Sequence, residues 1–171
     1  KPAYFDGATW TAVDGASTPA LTGITTTTIC YVQAFKGRLI FLVNNSLSFY
    51  YLAAGAAGGA LTRFQLDGEC VRGGYLMAVG TLTIDAGDGP DDRIVFITSE
   101  GEAIVYQGTN PSSAASWTKV GAYYIGRPIG RRCLQKMGGD LILLTQNGAF
   151  PLTKAIQSNV IDNKEALSFK I

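Results

Sequence analysis

The sequence contains no histidine and is short of charge. None of its 171 residues is His and only 16% are charged, against about 25% in an average soluble domain. Histidine is the commonest general base and metal ligand, so Ser–His and Cys–His nucleophile pairs are impossible within this chain. The net charge is only +1, so the overall charge of the chain gives no reason to expect binding to nucleic acid or to an acidic membrane. We therefore expect no enzymatic activity.

Cysteine is also scarce, and its spacing fits neither a disulfide framework nor a metal site. The three cysteines, Cys30, Cys70 and Cys133, are odd in number and far apart. Cys30 and Cys133 fall in matching strands of a repeated unit, where a small buried thiol is the ordinary expectation. The glycine-rich run 55–59 lacks the Lys-Ser/Thr ending of a phosphate-cradling loop. We expect no metal site and no cofactor.

Long apolar runs are missing too. A membrane helix needs roughly 18 consecutive apolar residues, and the closest approach, 52–61, consists largely of alanine and glycine. We interpret this run as a loop between two strands, and we expect no membrane partner. The first residues do not have the pattern of a signal peptide, so we expect none there. It begins at Lys1 rather than Met, which favours a fragment of a longer protein or a processed product.

The sequence does contain a β-hairpin pattern that occurs three times. Apolar runs at 39–43, 94–98 and 141–145 are each followed by a polar turn of three residues and a second strand. The copies start 55 and 47 residues apart. A period of about 40 to 50 residues with several strands per repeat is typical of a β-propeller blade. The pattern predicts an all-β, propeller-like array of antiparallel blades.

Further strands flank the hairpins and bring the repeat to the four strands of a blade. First strands are predicted at 29–35, 75–84 and 133–137, and fourth strands at 62–66 and 117–124. Tyr4 and Trp10 near the start have an arrangement in the sequence similar to that of Tyr106 and Trp117. The single domain 1–171 is therefore divided into a partial blade (1–13), two blades (29–66 and 75–124), a partial blade (132–154) and a C-terminal connector (156–171).

Two complete and two partial blades do not close a ring, which usually needs about 4 to 8 blades. The array is either part of a larger ring or one of several copies that complete a ring together, and we expect a homo-oligomer. In the connector 156–171, apolar residues recur at helical spacing, which predicts a short helix. The alternative fold is a β-sandwich, which also has many short strands separated by turns.

The sharpest local signal is an acidic loop between the first and second strands of the second complete blade. Asp85, Asp88, Asp91 and Asp92 fall within eight residues, separated by glycines and a proline. Carboxylates on a glycine-bent loop could hold calcium, although the spacing is not that of the helix-loop-helix calcium site. Asp and Gly are also favoured in exposed turns for local backbone reasons. We favour the exposed turn, with no calcium required.

A basic cluster lies at the junction before the third hairpin. It comprises Arg127, Arg131, Arg132 and Lys136. The planar guanidinium group of arginine can donate paired hydrogen bonds to a phosphate or a carboxylate. Contact with nucleic-acid phosphate is therefore one interpretation. The other is pairing with Asp91, Asp92 or Glu100 of the neighbouring blade. We favour pairing, because a few arginines without flanking aromatics are a weak signal for nucleic-acid binding.

Consecutive aromatic residues occur in two strands. They are Phe49, Tyr50 and Tyr51 in one strand, and Tyr123 and Tyr124 in the other. Successive residues of a strand point to opposite faces, so such runs indicate sheets covered on both faces, as between stacked blades. A carbohydrate-stacking platform is the alternative. A sugar-binding propeller would repeat the same aromatic in every blade, whereas Leu152 stands where the preceding hairpin has Tyr106.

Several stretches resemble a virion protein of tailed bacteriophages and prophages, of the kind usually described only as a structural or tail protein. They are Gly37-Arg38-Leu39, Arg72-Gly73-Gly74-Tyr75-Leu76-Met77-Ala78, Asp85-Ala86-Gly87-Asp88-Gly89-Pro90-Asp91-Asp92, Phe96-Ile97-Thr98-Ser99-Glu100-Gly101-Glu102, Tyr106-Gln107-Gly108-Thr109-Asn110-Pro111-Ser112-Ser113 and Ile125-Gly126-Arg127-Pro128-Ile129-Gly130-Arg131-Arg132. The resemblance covers nearly the whole chain and is to the middle of a much longer protein. More distantly, the chain resembles the propeller-bearing nozzle proteins of short-tailed phages.

The resemblance implies a non-enzymatic role in assembling a phage tail. The implied partners are other virion proteins and further copies of the chain, with DNA nearby but not specifically bound. The implied location is the virion, after synthesis in the bacterial cytoplasm. The family has no established catalytic motif, so the resemblance supplies no catalytic, cofactor-binding or metal-binding residue. The alternative function is a receptor- or carbohydrate-binding β-propeller module.

Overall fold

A computed structural model describes residues 1–83, 93–158 and 166–167 of the chain. Most of these residues lie in β-strands that form several antiparallel sheets, and one short helix follows the last strand. The prediction of an all-β chain with a short C-terminal helix is therefore confirmed. The acidic loop with Asp85, Asp88, Asp91 and Asp92 lies outside the described residues, as does most of the tail after residue 158.

The strands are short, and none exceeds eight residues in the described part of the chain. In chain order they are β1 (Ala3–Phe5), β2 (Trp10–Ala12), β3 (Leu21–Thr22), β4 (Ile29–Phe35), β5 (Arg38–Val43), β6 (Ser48–Tyr51), β7 (Gly59–Ala60), β8 (Thr62–Gln65), β9 (Leu76–Leu82), β10 (Arg93–Thr98), β11 (Glu102–Gly108), β12 (Trp117–Tyr124), β13 (Leu134–Met137), β14 (Asp140–Thr145) and β15 (Gly148–Pro151). The helix α1 spans Leu152–Ser158. Single 3₁₀ turns lie at Thr26–Thr28 and Asp67–Glu69.

Three sheets correspond to the three repeated hairpins. The first has the order β4-β5-β6-β8, the second β9-β10-β11-β12 and the third β13-β14-β15, with all neighbours antiparallel. The apolar runs 39–43, 94–98 and 141–145 fall in β5, β10 and β14, which are the second strands of their sheets. The expectation that these runs belong to three separate sheets is confirmed.

The three sheets pack in a stack, with the second sheet in the middle. On β10, Ile94 and Phe96 pack with the first sheet, whereas Val95 and Ile97 pack with the third. This is the alternation of a strand, but both faces are apolar because both are covered. A two-sheet sandwich buries only one face of each sheet, so the sandwich alternative does not account for the middle sheet.

Aromatic rings fill the space between the first and second sheets. Phe49 of β6 stacks on Phe96 of β10 with ring centroids 4.5 Å apart, and both side chains are fully buried. Tyr106 of β11 stacks on Trp117 of β12 at 5.3 Å. Buried aromatic rings each remove about 150–250 Å² from water. This interface is therefore a major source of the apolar burial that holds the two sheets together.

The N-terminal segment covers the outer face of the first sheet. Val13 and Leu21 are buried against Phe41 and Leu52. β3 pairs with β7 in parallel, so the run 52–61, predicted as a loop, contributes a two-residue strand to this cover. The hairpin of β1 and β2 instead forms a small sheet of its own.

Several predicted strand boundaries are wrong by a residue or two, including the end of the strand predicted at 62–66, which is at Gln65. The first strand of the second sheet, predicted at 75–84, begins at Leu76 and ends at Leu82. Cys133 was predicted inside the first strand of the third sheet, but β13 begins one residue later, at Leu134. Cys133 is nevertheless fully buried among the residues that join the second and third sheets.

The helix also begins earlier than predicted. The sequence placed helical spacing in the connector 156–171, whereas α1 starts at Leu152, inside the predicted partial blade 132–154. Leu152, Ala155 and Ile156 recur at i, i+3 and i+4 and are buried with the third sheet. Such a stripe faces the core of a protein, and α1 contacts β14 and β15.

Candidate functional site

The N-terminal hairpin presents aromatic side chains to solvent on both of its faces. Phe5 and Trp10 pair across β1 and β2, and their rings stack with centroids 4.9 Å apart. They are 46% and 69% exposed, and Tyr4 on the opposite face is 39% exposed. Scattered exposed apolar residues need no explanation, but adjacent ones that form a patch mark an interaction surface.

The turn of this hairpin is fixed by one carboxylate. Asp6 accepts hydrogen bonds from the backbone amides of Ala8 and Thr9, both at 2.8 Å. These bonds favour the charged carboxylate and lower the pKa of Asp6. Gly7 adopts a φ of 104°, which favours glycine. The local sequence thus holds the hairpin in shape, although no third strand from the described part of the chain pairs with it.

The stacked aromatic pair of the second sheet has a different environment. Tyr106 and Trp117 also stack on each other, but they are only 4% and 6% exposed. Phe49 and Phe64 of the first sheet pack against them. In the sequence, Tyr4 and Trp10 match Tyr106 and Trp117, but in the structure Phe5 stacks on Trp10 and Tyr4 lies on the opposite face. The N-terminal hairpin thus has a stacked, exposed pair, whereas the second sheet has a stacked, buried one.

The far side of the third sheet carries a second exposed apolar surface. Leu141 and Leu143 on β14 are buried toward the second sheet. Leu144, on the opposite face, is 36% exposed, and Met137 on β13 is 60% exposed. The backbone N–H of Leu167 donates to the carbonyl of Ala149 at 2.8 Å, so the tail meets this sheet at β15.

The basic cluster does not act as one group. Arg127 pairs with Glu100 at 2.5 Å, which is one of the pairings that the sequence predicted across the junction. Arg131 instead lies beside Cys30, with its Nη1 3.0 Å from the Cys30 Sγ. Arg132 is exposed and faces the same cleft as Arg131. Lys136 lies on β13, at an exposed position.

The predicted aromatic runs are covered unevenly. Phe49 and Tyr51 are buried between the first and second sheets, and Tyr50 is half-buried beneath the N-terminal segment. Tyr123 is half-buried, but Tyr124 is 48% exposed, with the Arg72 guanidinium 4.0 Å above its ring. The prediction that both faces of the strand are covered therefore holds for β6. It does not hold for the end of β12, where Tyr124 is exposed.

The three cysteines are free thiols with weakened acidity. Burial raises the pKa of the Cys133 thiol to about 11. Burial, with the nearby Glu102 carboxylate, also raises the pKa of Cys70 to about 11. For Cys30, burial raises the pKa, and the Arg131 charge partly opposes this. Raised pKa values mean few thiolates near neutral pH, so these side chains are poor nucleophiles.

Sequence reasoning did not identify the exposed hairpin as a site. It used Trp10 only as a marker of the repeat, and no weight was given to its surroundings. A signal was present, because residues 14–28 contain six threonines, two glycines and one serine, and the sequence shows no long apolar run there that could add a third strand to the hairpin. The buried carboxylate of Glu102 was also missed, since its partners lie in a distant segment.

The described part of the chain has neither the features of a metal site nor those of a membrane-spanning helix. Across 1–83, 93–158 and 166–167, no three His, Cys, Asp or Glu side chains come together in a way that could hold a metal ion. No helix among those residues is long and apolar enough to cross a membrane. In comparisons with known proteins, the chain matches no family model, no curated protein and no solved structure.

Proposed function

We propose that this chain is a non-enzymatic structural module of a phage virion, in a tail or nozzle, that acts through protein–protein assembly. In this proposal the three sheets are successive blades of a propeller-like array, and the β1–β2 hairpin is the outer half of a further blade. The resemblance of the sequence to phage tail proteins supports the virion setting. The geometry supports the assembly role.

The observation that carries the proposal is the contrast between the covered and uncovered aromatic pairs. Tyr106 and Trp117 are buried because a neighbouring sheet packs on them. Phe5 and Trp10 also stack on each other, but no sheet among the described residues covers them. If both hairpins belong to equivalent units, the first one lacks its neighbour, and a partner surface would supply it.

Self-association in solution tests the proposal. We expect sedimentation velocity to show assemblies that grow with protein concentration, because the uncovered hairpin and the outer face of the third sheet bury apolar area on contact. The double variant Phe5→Ser with Trp10→Ser should shift the distribution toward the monomer. Val71→Ser is the matched control, since Val71 is 91% exposed but lies on the connector between β8 and β9.

Two results would contradict the proposal. One is a monomer at every concentration that also fails to bind a hydrophobic dye. The other is an equal shift toward the monomer in the Val71→Ser control. The virion setting is tested separately by mass spectrometry of purified phage particles from the bacterium that encodes the chain. Its absence from those particles would remove that part of the proposal.

A further inference from the structure

A cleft of about 490 Å³ lies between the first strand of the first sheet and the segment that leads into β13. Its lining residues are Cys30, Tyr31, Val32, Gln33, Arg131 and Arg132. The cleft brings two arginines that are adjacent in sequence against a strand about 100 residues earlier in the chain. An adjoining cleft contains Lys1, whose Nζ is paired with Asp14 at 2.8 Å.

The charge of Arg131 is not neutralised by its partners. Its Nη1 is 3.0 Å from the Cys30 Sγ, and its guanidinium lies 5.5 Å from the ring centroid of Tyr75. Burial raises the pKa of the Cys30 thiol above its ordinary value of 9.0, so this partner stays protonated near neutral pH. Within the described residues, Arg132 forms no ion pair either.

Arg127 provides the contrast within the same cluster. Its guanidinium is 2.5 Å from a Glu100 carboxylate oxygen, so its charge already has a partner of opposite sign. The cleft therefore holds two positive charges that pair with no carboxylate among the described residues, while the third arginine has a structural partner. Packing two like charges together is unfavourable unless solvent or an anion compensates them.

We propose that this cleft binds a phosphate group, with Arg131 and Arg132 as its ligands. The planar guanidinium fork matches phosphate geometry through paired N–H···O bonds. A phosphate has enough oxygens to accept from both guanidinium groups at once. The volume of the cleft is sufficient for a phosphate ester as well as the free ion. The inference does not rest on the proposed assembly function.

Two sources could supply this phosphate, and the experiment separates them. Calorimetric titration of the full chain uses inorganic phosphate in one arm and a single-stranded DNA oligonucleotide in the other. We expect Arg132→Gln to weaken phosphate binding by about tenfold, the loss of a charge-assisted pair. Arg132 is exposed, so this variant should fold normally. Arg127→Gln is the matched control and should bind as the parent does.

Alkylation gives a second readout inside the cleft. Phosphate bound to Arg131 should slow iodoacetamide labelling of Cys30, whereas Cys70, which lies outside the cleft, should label at an unchanged rate. In Arg131→Lys the protection should be weaker, because an ammonium provides one point charge instead of a fork. Each rate is compared with and without phosphate in the same variant, so an altered thiol acidity does not affect the comparison.

The outcomes decide both the site and the source. Binding of the oligonucleotide that free phosphate displaces identifies a nucleic-acid backbone as the source, and binding of phosphate alone identifies a small phosphate ligand. Both support the site. The inference is overturned if neither probe binds, if Arg132→Gln binds as tightly as the parent, or if Arg127→Gln loses as much affinity as Arg132→Gln.

Discussion

The carboxylate of Glu102 holds the main chain at Arg72: its Oε2 accepts a hydrogen bond from the Arg72 backbone N–H at 2.9 Å. The other oxygen accepts from the backbone of Val71 at 3.1 Å. Glu102 is the first residue of β11 and is almost fully buried. It therefore ties the connector that arrives from the first sheet to the body of the second sheet, on the path between two repeats.

Removing this carboxylate should destabilise the fold. Glu102→Ala leaves two part-buried backbone N–H groups without their acceptor, and we expect a loss of about 1–3 kcal/mol. Glu102→Gln keeps one acceptor oxygen but places an NH₂ group against the other amide, so about 1–2 kcal/mol should be lost. Equilibrium urea unfolding measures both values.

Glu100→Gln is the matched control for that experiment. Glu100 lies two residues away and pairs with Arg127 at a partly exposed position, where an ion pair contributes about 0–1 kcal/mol. If Glu102→Ala unfolds at the same urea concentration as the control, the buried carboxylate does not fix the connector.

The regular strands could be predicted from the sequence, because each has a local pattern of apolar residues bounded by polar turns. The second strands β5, β10 and β14 are almost continuous apolar runs followed by polar turns, and a run of that length bounded by turns favours a buried strand. Their burial on both faces follows from the same composition. The apolar residues of α1 also have helical spacing from Leu152 onward, but the sequence prediction assigned Leu152 to the preceding strand and began the helical connector only at residue 156.

The remaining features depend on contacts between distant segments. The pairing of β3 with β7 joins Leu21 to Gly59, and neither segment has the strand propensity to reveal it. The Cys30–Arg131 contact joins residues 101 positions apart. Sequence spacing carries no information about such a contact, because it is set by how the sheets stack.

The acidic loop leads to a prediction that rests on sequence alone. Since Asp, Gly and Pro are the residues of exposed turns, we expect thermal unfolding to occur at the same temperature with calcium and with a chelator. A specific calcium ion would instead raise the melting temperature by mass action. If calcium raises it, and the double variant Asp88→Asn with Asp91→Asn abolishes the rise, the loop is a calcium site.

The buried thiols make the fold sensitive to alkaline pH. The pKa of Cys133 lies at about 11 in the folded chain, above its ordinary value of 9.0. Between these values the unfolded thiol loses its proton while the folded one keeps it, so stability is full below pH 9 and falls as the pH rises toward 11. Urea midpoints measured across this window should decline.

The variant Cys133→Ala isolates the contribution of this thiol. It should lower the midpoint at every pH, because a buried side chain is shortened, but its decline above pH 9 should be shallower than that of the parent. Parallel declines in the two proteins would show that other groups, such as lysines and tyrosines, cause the whole effect.

Gly80 on β9 allows the third sheet to approach the second closely. A Cβ at this position would lie 2.8 Å from Cδ1 of Leu141 and 3.2 Å from Cδ1 of Leu134. We therefore expect Gly80→Ala to destabilise the chain by about 1–3 kcal/mol, the usual range for overpacking a core. The control is Gly130→Ala, since a Cβ there has no neighbour within 4 Å.

A double-mutant cycle tests whether the contact with Leu141 is the cause. Leu141→Ala alone should cost about 2–5 kcal/mol, because it leaves a cavity. In the double variant the alanine at 80 occupies part of that cavity, so the combined loss should be smaller than the sum of the single losses by about 0.5–3 kcal/mol. Additive losses would mean that the third sheet does not pack against Gly80, and the stacked arrangement of the second and third sheets would be wrong at this contact.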